Sequence, residues 1–147
     1  GVVGFKEALT EIEAMRQILS ANTYLWINAL KKDAHYYTPE DIYRMSAIDP
    51  HVSYNLINHL SKGSPCRAGQ TTFSVNGSGD MTRCHFIKEA IGNIYDADFE
   101  QNLYPRLCTN DTCGCHIGYV HLEKLQLEKI FDDRLLERIA LMDVPEP

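Results

Sequence analysis

Apolar residues recur at three- and four-residue intervals through Phe5, Ala8, Leu9, Ile12, Met15, Ile18 and Leu19. That period predicts an amphipathic helix over residues 5–20, with Lys6, Glu7, Glu11, Glu13 and Arg16 on its other face. Ala21-Asn22-Thr23 ends it, and the short aromatic and β-branched run from Tyr24 to Ala29 reads as a strand. A helix followed by a strand is half of a βαβ unit. Thr38-Pro39-Glu40-Asp41 then combines a capping hydroxyl, a first-turn proline and acids at the positive end of the dipole, so a helix runs from there to about Ser46. Asp49-Pro50 repeats the signal, with Val52, Leu56, Ile57 and Leu60 as an apolar face and Lys62-Gly63 as a stop.

The period then changes to two. Thr71 to Val75 alternates, Asn76-Gly77-Ser78-Gly79-Asp80 has turn composition, and Met81 to His85 returns, which predicts a β-hairpin. Its turn centre lies near residue 78, so Cys66 and Cys84 both fall at the open end without being direct cross-strand partners. Ile91 to Tyr95 reads as a short extended piece entering an acidic helical turn over 96–100. Leu122, Leu125, Leu127, Ile130, Phe131, Leu135, Leu136 and Ile139 predict a C-terminal helix with a break near Asp132-Asp133.

The chain is long enough, at 147 residues, to form a core without staples. Its net charge of −6 argues against a general nucleic-acid binder, which needs a basic face to displace counterions. The longest strictly apolar runs, such as Tyr24-Leu25-Trp26-Ile27, fall far short of the roughly twenty residues of a membrane span. A soluble, cytoplasmic chain without membrane or nucleic-acid partners is expected. It opens Gly1-Val2-Val3-Gly4 without methionine, which reads as a processed chain or a piece of a longer one.

Cys66, Cys84, Cys108, Cys113 and Cys115 are the only cysteines, an odd number that leaves a thiol over in any internal disulfide scheme. An isolated cysteine is commonly a small buried hydrophobe. Three within the polar, glycine-containing run Cys108-Thr-Asn-Asp-Thr-Cys113-Gly-Cys115 read instead as metal ligands. Zinc accepts four thiolates, or three and an imidazole from His85 or His116, although the usual Cys-x2-Cys knuckle is missing. No oxyanion hole accompanies a cysteine–histidine pair, and Gly77-Ser78-Gly79 is too short for a phosphate loop.

The stretch Cys66-Arg-Ala-Gly69, Phe73-Ser-Val, Asn76-Gly-Ser-Gly79-Asp80, Arg83-Cys84, Gly92-Asn93-Ile94-Tyr95 and the cysteine run resembles the C-terminal SPASM or twitch domain of radical SAM enzymes. Such domains open with a cysteine, nine to fifteen residues, a glycine, four residues and a second cysteine, a pattern that Cys66-x12-Gly79-x4-Cys84 meets. The resemblance covers residues 64–121. It implies an auxiliary 4Fe–4S cluster on Cys66, Cys84 and two of Cys108, Cys113 and Cys115, thiolates being the ligands such clusters use. A pair one residue apart is tightly constrained, so Cys113 is read as the spare. Full SPASM domains carry seven or more cysteines, which makes twitch the better label. The Cys-x3-Cys-x2-Cys motif that binds the catalytic cluster of the family is absent. The resemblance therefore implies a C-terminal fragment with no catalytic residues of its own, serving electron transfer or the positioning of a substrate, such as a peptide or protein, and partnered by the rest of the barrel. The expected fold is α+β: residues 1–63 as the helices and strand that end a partial α/β barrel, 64–121 as a small hairpin metal-binding domain, and 122–147 as a helical segment. A structural zinc-binding interaction module is the alternative.

Overall fold

The computed structural model describes residues 1–21, 23–31, 33, 35–132 and 134–136. They form a mixed α+β chain whose strands make four small sheets of two or three strands. The chain divides into two compact units, Gly1–Asn58 together with the chain from Phe131, and His59–Ile130. No helix among the described residues is long and apolar enough to cross a membrane.

The first unit completes the βαβ unit that the sequence half showed. β1 (Val2–Gly4) precedes α1 (Leu9–Ile18) and lies parallel to β2 (Ile27–Ala29), with Val2 opposite Ile27 and Gly4 opposite Ala29. The first predicted helix starts later than its periodicity suggests, because Lys6–Ala8 is a 3-10 turn and Phe5 is extended. A 3-10 turn advances by a third of a circle per residue, which changes the phase of the apolar stripe. Leu9 and Ile12 are accordingly buried, whereas Phe5, Met15 and Ile18 stay exposed.

α2 (Pro39–Ile48) begins as its sequence indicates. Thr38 and Asp41 form a reciprocal capping box, the Thr38 hydroxyl accepting from Asp41 N–H and the Asp41 carboxylate accepting from Thr38 N–H at 2.9 Å. Met45 and Ile48 join Leu9, Ile12, Leu25, Ile27, Ala29 and Val52 in one core. Arg44 grips Glu13 of α1 with two N–H groups at 2.7 and 2.8 Å.

Asp49 does not start another helix, contrary to expectation. Its buried carboxylate accepts from Ile27 N–H at 2.8 Å, from the Tyr24 hydroxyl at 2.5 Å and from His51 N–H at 3.0 Å. With that carboxylate committed to β2, residues Val52–Asn55 make only a 3-10 turn, and Ile57 and Leu60 are exposed. Tyr37 packs at the edge of the core, whereas Tyr43 is exposed. The Tyr37 hydroxyl donates to Gly4 O and accepts from Leu30 N–H, while the Tyr36 hydroxyl donates to Glu7.

The second unit is built from short antiparallel pairings. β3 (His59–Leu60) and β4 (Pro65–Cys66) are followed by β5 (Ser74–Val75), β6 (Asp80–Cys84) and β7 (Ile87–Asn93), then by β8 (Arg106–Leu107) and β9 (Thr112–Cys113). β5-β6 is the predicted hairpin with its first strand cut from Thr71–Val75 to Ser74–Val75, because Thr71 N–H turns back on Arg67 O, and β7 adds a third strand. Its first turn holds because the Asn76 side-chain oxygen accepts from both Ser78 N–H and Asp80 N–H at 2.9 Å. Gly79 there has φ +85, and a Cβ on it would stand 2.5 Å from the Tyr95 ring.

β3 pairs with β9 and β4 with β8. Ser61 N–H to Asp111 O, Gly63 N–H to Cys108 O and Cys108 N–H to Ser64 O, at 2.8 to 2.9 Å, connect these pairings. The segment 59–66 thus runs against 106–113. The helix expected from Leu122 to the break near Asp132 is replaced by a 3-10 turn (Glu123–Leu125), a left-handed Gln126 with φ 50, and the four-residue α3 (Glu128–Phe131). The expected break is present at Asp132, also left-handed at φ 50. The expected run to Ile139 lies outside the described residues, as do Asn22 and Asp133.

Candidate metal centre

Each cysteine is placed by a different local device. Cys66 ends β4, faces Arg106 across the pair and bridges to Leu122. Cys84 is the last residue of β6 and pairs with Ile87 across the turn His85-Phe86, at the opposite end of the strand from Gly79. Cys108 follows β8 directly, its backbone held by Ser64 O and Gly63 N–H. Cys113 lies in β9 opposite His59. Cys115 sits two residues on, its carbonyl accepting from Gly118 N–H and Tyr119 N–H at 2.9 and 3.0 Å. All five are free thiols, with Cys66 and Cys108 buried and the other three half-buried.

These segments bring the thiols within electrostatic reach of one another. Burial pushes the Cys66 thiol up from its ordinary range, and the Cys108 and Cys84 sulfurs push the same way, against a hydrogen bond from Ala68 N–H and the charge of Arg83. Burial pushes the Cys113 thiol up to about 12, with Cys84, Cys108 and Cys115 adding to the rise and the Cys115 N–H opposing it. Burial is thus the main reason that Cys66 and Cys113 hold their protons, and a bound cation would favour their thiolates.

Gly118 fits the same reading. Its φ is unexceptional, so no backbone strain demands glycine there. A Cβ at this position would stand 2.9 Å from Cys113 Sγ and 3.4 Å from Cys115 Cβ. The hydrogen keeps the space beside the sulfur open.

The histidines named with zinc are arranged differently from one another. His85 is exposed and its ring lies tilted against Phe86 with centroids 4.3 Å apart, and His116 is half-buried. Among the described residues, no three histidine, cysteine or acidic side chains converge as ligands of a single ion. A lone zinc needs sulfurs about 2.3 Å from one point. A centre that brings its own iron and sulfide holds its thiolates on a wider ring, and a four-thiolate set with one to spare matches that donor chemistry.

Sequence reasoning named all five sulfurs but missed three supporting features: the Ala68 and Cys115 N–H groups aimed at sulfur, the Gly118 gap, and the pairing of 59–66 with 106–113. Only Gly118 left a trace in the sequence, as a glycine three residues beyond a Cys-x-Cys pair. Comparison with protein-family models, with curated protein sequences and with solved structures gives no match.

Proposed function

We propose that residues 59–130 form the auxiliary iron–sulfur cluster region of a radical SAM enzyme, of the twitch kind. One observation carries this reading: the segment 59–66 runs against 106–113, which brings the strand of Cys66 beside that of Cys108 and the segment before it against Cys113. The spacing Cys66-x12-Gly79-x4-Cys84 supplies the family. When bound, the cluster supplies one-electron chemistry tuned by the hydrogen bonds and charges around it. The chain's own residues then do three things. Cys66, Cys84, Cys108 and Cys113 ligate, Ala68 N–H and Cys115 N–H hydrogen-bond to ligand sulfur, and Gly118 leaves room at Cys113. We assign Cys113 to the set in place of Cys115 because Gly118 leaves open the space at its sulfur, while Cys115 lends its amide.

The parallel β1-β2 pair with its helical crossover supports the partial-barrel reading of the first unit, since parallel strands belong to sheets covered on both faces. The rest of such a barrel is the partner, the cytoplasm keeps the thiols reduced, and the role is electron transfer or the positioning of a substrate, such as a peptide, with no catalysis by this chain alone.

The test is a series of five Cys→Ala variants reconstituted anaerobically with iron and sulfide. Cys66→Ala, Cys84→Ala, Cys108→Ala and Cys113→Ala lose the visible absorbance and most of the iron, and Cys115→Ala keeps both. Full iron and stability in Cys66→Ala and Cys84→Ala would overturn the ligand assignment. One zinc in place of iron and sulfide would make the region a structural zinc module.

A further inference from the structure

The turn between β5 and β6 commits nearly all of its main-chain N–H groups. Asn76 N–H donates to Asp80 O, Gly79 N–H donates to Asn76 O, and Ser78 N–H and Asp80 N–H both donate to the Asn76 side-chain oxygen. Gly77 N–H is the exception, with no acceptor among the described residues. Gly77 is also clear of packing, since a Cβ there would meet nothing within 4 Å. Both Asn76 and Gly77 are exposed to water.

The turn thus gathers the parts of an acyl transfer around Asn76 Cγ. The nitrogen that follows an asparagine in the chain can close a ring on the side-chain carbonyl carbon, so its attack is intramolecular. Charge developing on Oδ1 is met by Ser78 N–H and Asp80 N–H, both at 2.9 Å, the range in which paired donors stabilise an oxyanion. The amide cannot face the other way, because its nitrogen donates to Asp80 Oδ2 at 3.0 Å. No other asparagine of the chain precedes a glycine, whose nitrogen is not crowded by a side chain.

We propose that Asn76-Gly77 is a self-modification site whose co-reactant is water. Gly77 N bonds to Asn76 Cγ and the Cγ–Nδ2 bond breaks. The proton lost from Gly77 N–H passes through solvent to Nδ2, which leaves as ammonia. Water then opens the cyclic imide at either carbonyl, leaving aspartate or isoaspartate at residue 76, with no change of oxidation state. The new carboxylate faces that of Asp80 where an amide donor stood, so a hydrogen bond becomes a like-charge contact. In the isoaspartate form a methylene also enters the main chain beside the Val75–Met81 pair, which loosens the hairpin turn. The inference is independent of the iron–sulfur reading.

The experiment incubates the purified full chain, without added iron, in mildly alkaline buffer and in the same buffer with denaturing guanidinium chloride. Peptide mass spectrometry follows the conversion of amide to acid, and isoaspartyl methyltransferase reports isoaspartate. The peptide holding Asn76 should convert about tenfold faster in the folded chain than in the denatured one, because only the folded turn supplies the oxyanion donors. The peptide holding Asn110, which precedes Asp111, should stay unconverted in the folded chain. Gly77→Ala should fold as the parent does and convert far more slowly. Equal or faster conversion in the denatured chain would overturn the proposal, since the turn would then restrain Asn76 instead of activating it. Aspartate without isoaspartate would also overturn it, because direct attack by water bypasses the ring, and so would a parental rate in Gly77→Ala.

Discussion

A methyl group at residue 118 would meet Cys113 Sγ at 2.9 Å, closer than carbon and sulfur can rest, while one at Gly77 would meet nothing within 4 Å. The pair therefore separates a demand for space at the sulfur from the general effect of replacing glycine. Gly118→Ala should reduce the iron retained after anaerobic reconstitution, and Gly77→Ala should leave it at the parental level. Equal iron in the two variants would remove Gly118 from the site. The single residue is also the scale at which the sequence was most informative about the centre. Thiols carry their chemistry in their identity, so all five candidates could be named before any geometry was known. Arg83 could not be assigned in the same way. Arginine next to cysteine is ordinary in sequence, and only the structure shows its burial and its two carbonyl anchors.

Among the elements, α2 was the most legible, because its start signal is local. Thr38, Pro39 and Asp41 act within one turn, and the structure contains the full capping box. Thr38→Ala should cost about 1 kcal/mol in denaturant unfolding, with no change in metal content. Asp41 gives the box a pH dependence of definite sign. The hydrogen bond from Thr38 N–H, then that of the Thr38 hydroxyl, hold its carboxyl below the ordinary carboxylate range. A group depressed in the folded state contributes stability above its unfolded value near pH 4 and loses it as pH falls through the depressed one. The difference in melting temperature between the parent and Asp41→Asn should thus close on acidification from about pH 6 to below pH 3; a gap that is constant over that range would contradict the assignment. The elements that sequence missed fail for the opposite reason. Asp49-Pro50 has the same local signal as Thr38-Pro39, but its carboxylate is claimed by the β2 backbone at Ile27, far away in sequence. β3, β4, β8 and β9 are two residues each, too short for any period, and exist through partners about forty to fifty residues distant. The late start of α1 is a similar case, since the phase of its stripe depends on the Lys6–Ala8 turn.

For the molecule as a whole, the two units differ in what holds them. The first has a contiguous apolar core of Leu9, Ile12, Leu25, Ile27, Met45 and their neighbours. The second buries Cys66 and Cys108 beside Met81, Ile87, Tyr119, Val120, Leu122 and Leu127, and joins the β5-β6-β7 sheet with two pairs of two-residue strands. A ligand that binds only the folded form stabilises it in proportion to the logarithm of its excess over Kd. Cluster loading should therefore slow proteolytic cleavage within residues 59–130, mapped by mass spectrometry, relative to the iron-free chain. Equal cleavage with and without iron would mean that the thiols do not organise this unit through a metal. The central claim, that the five thiols hold an iron–sulfur cluster, is tested most directly by purifying the chain anaerobically and assaying iron, acid-labile sulfide and zinc on one sample beside its visible spectrum. The account predicts about four irons and four sulfides per chain with broad absorbance near roughly 400 nm. A colourless protein with one zinc, or with no metal at all, would contradict it.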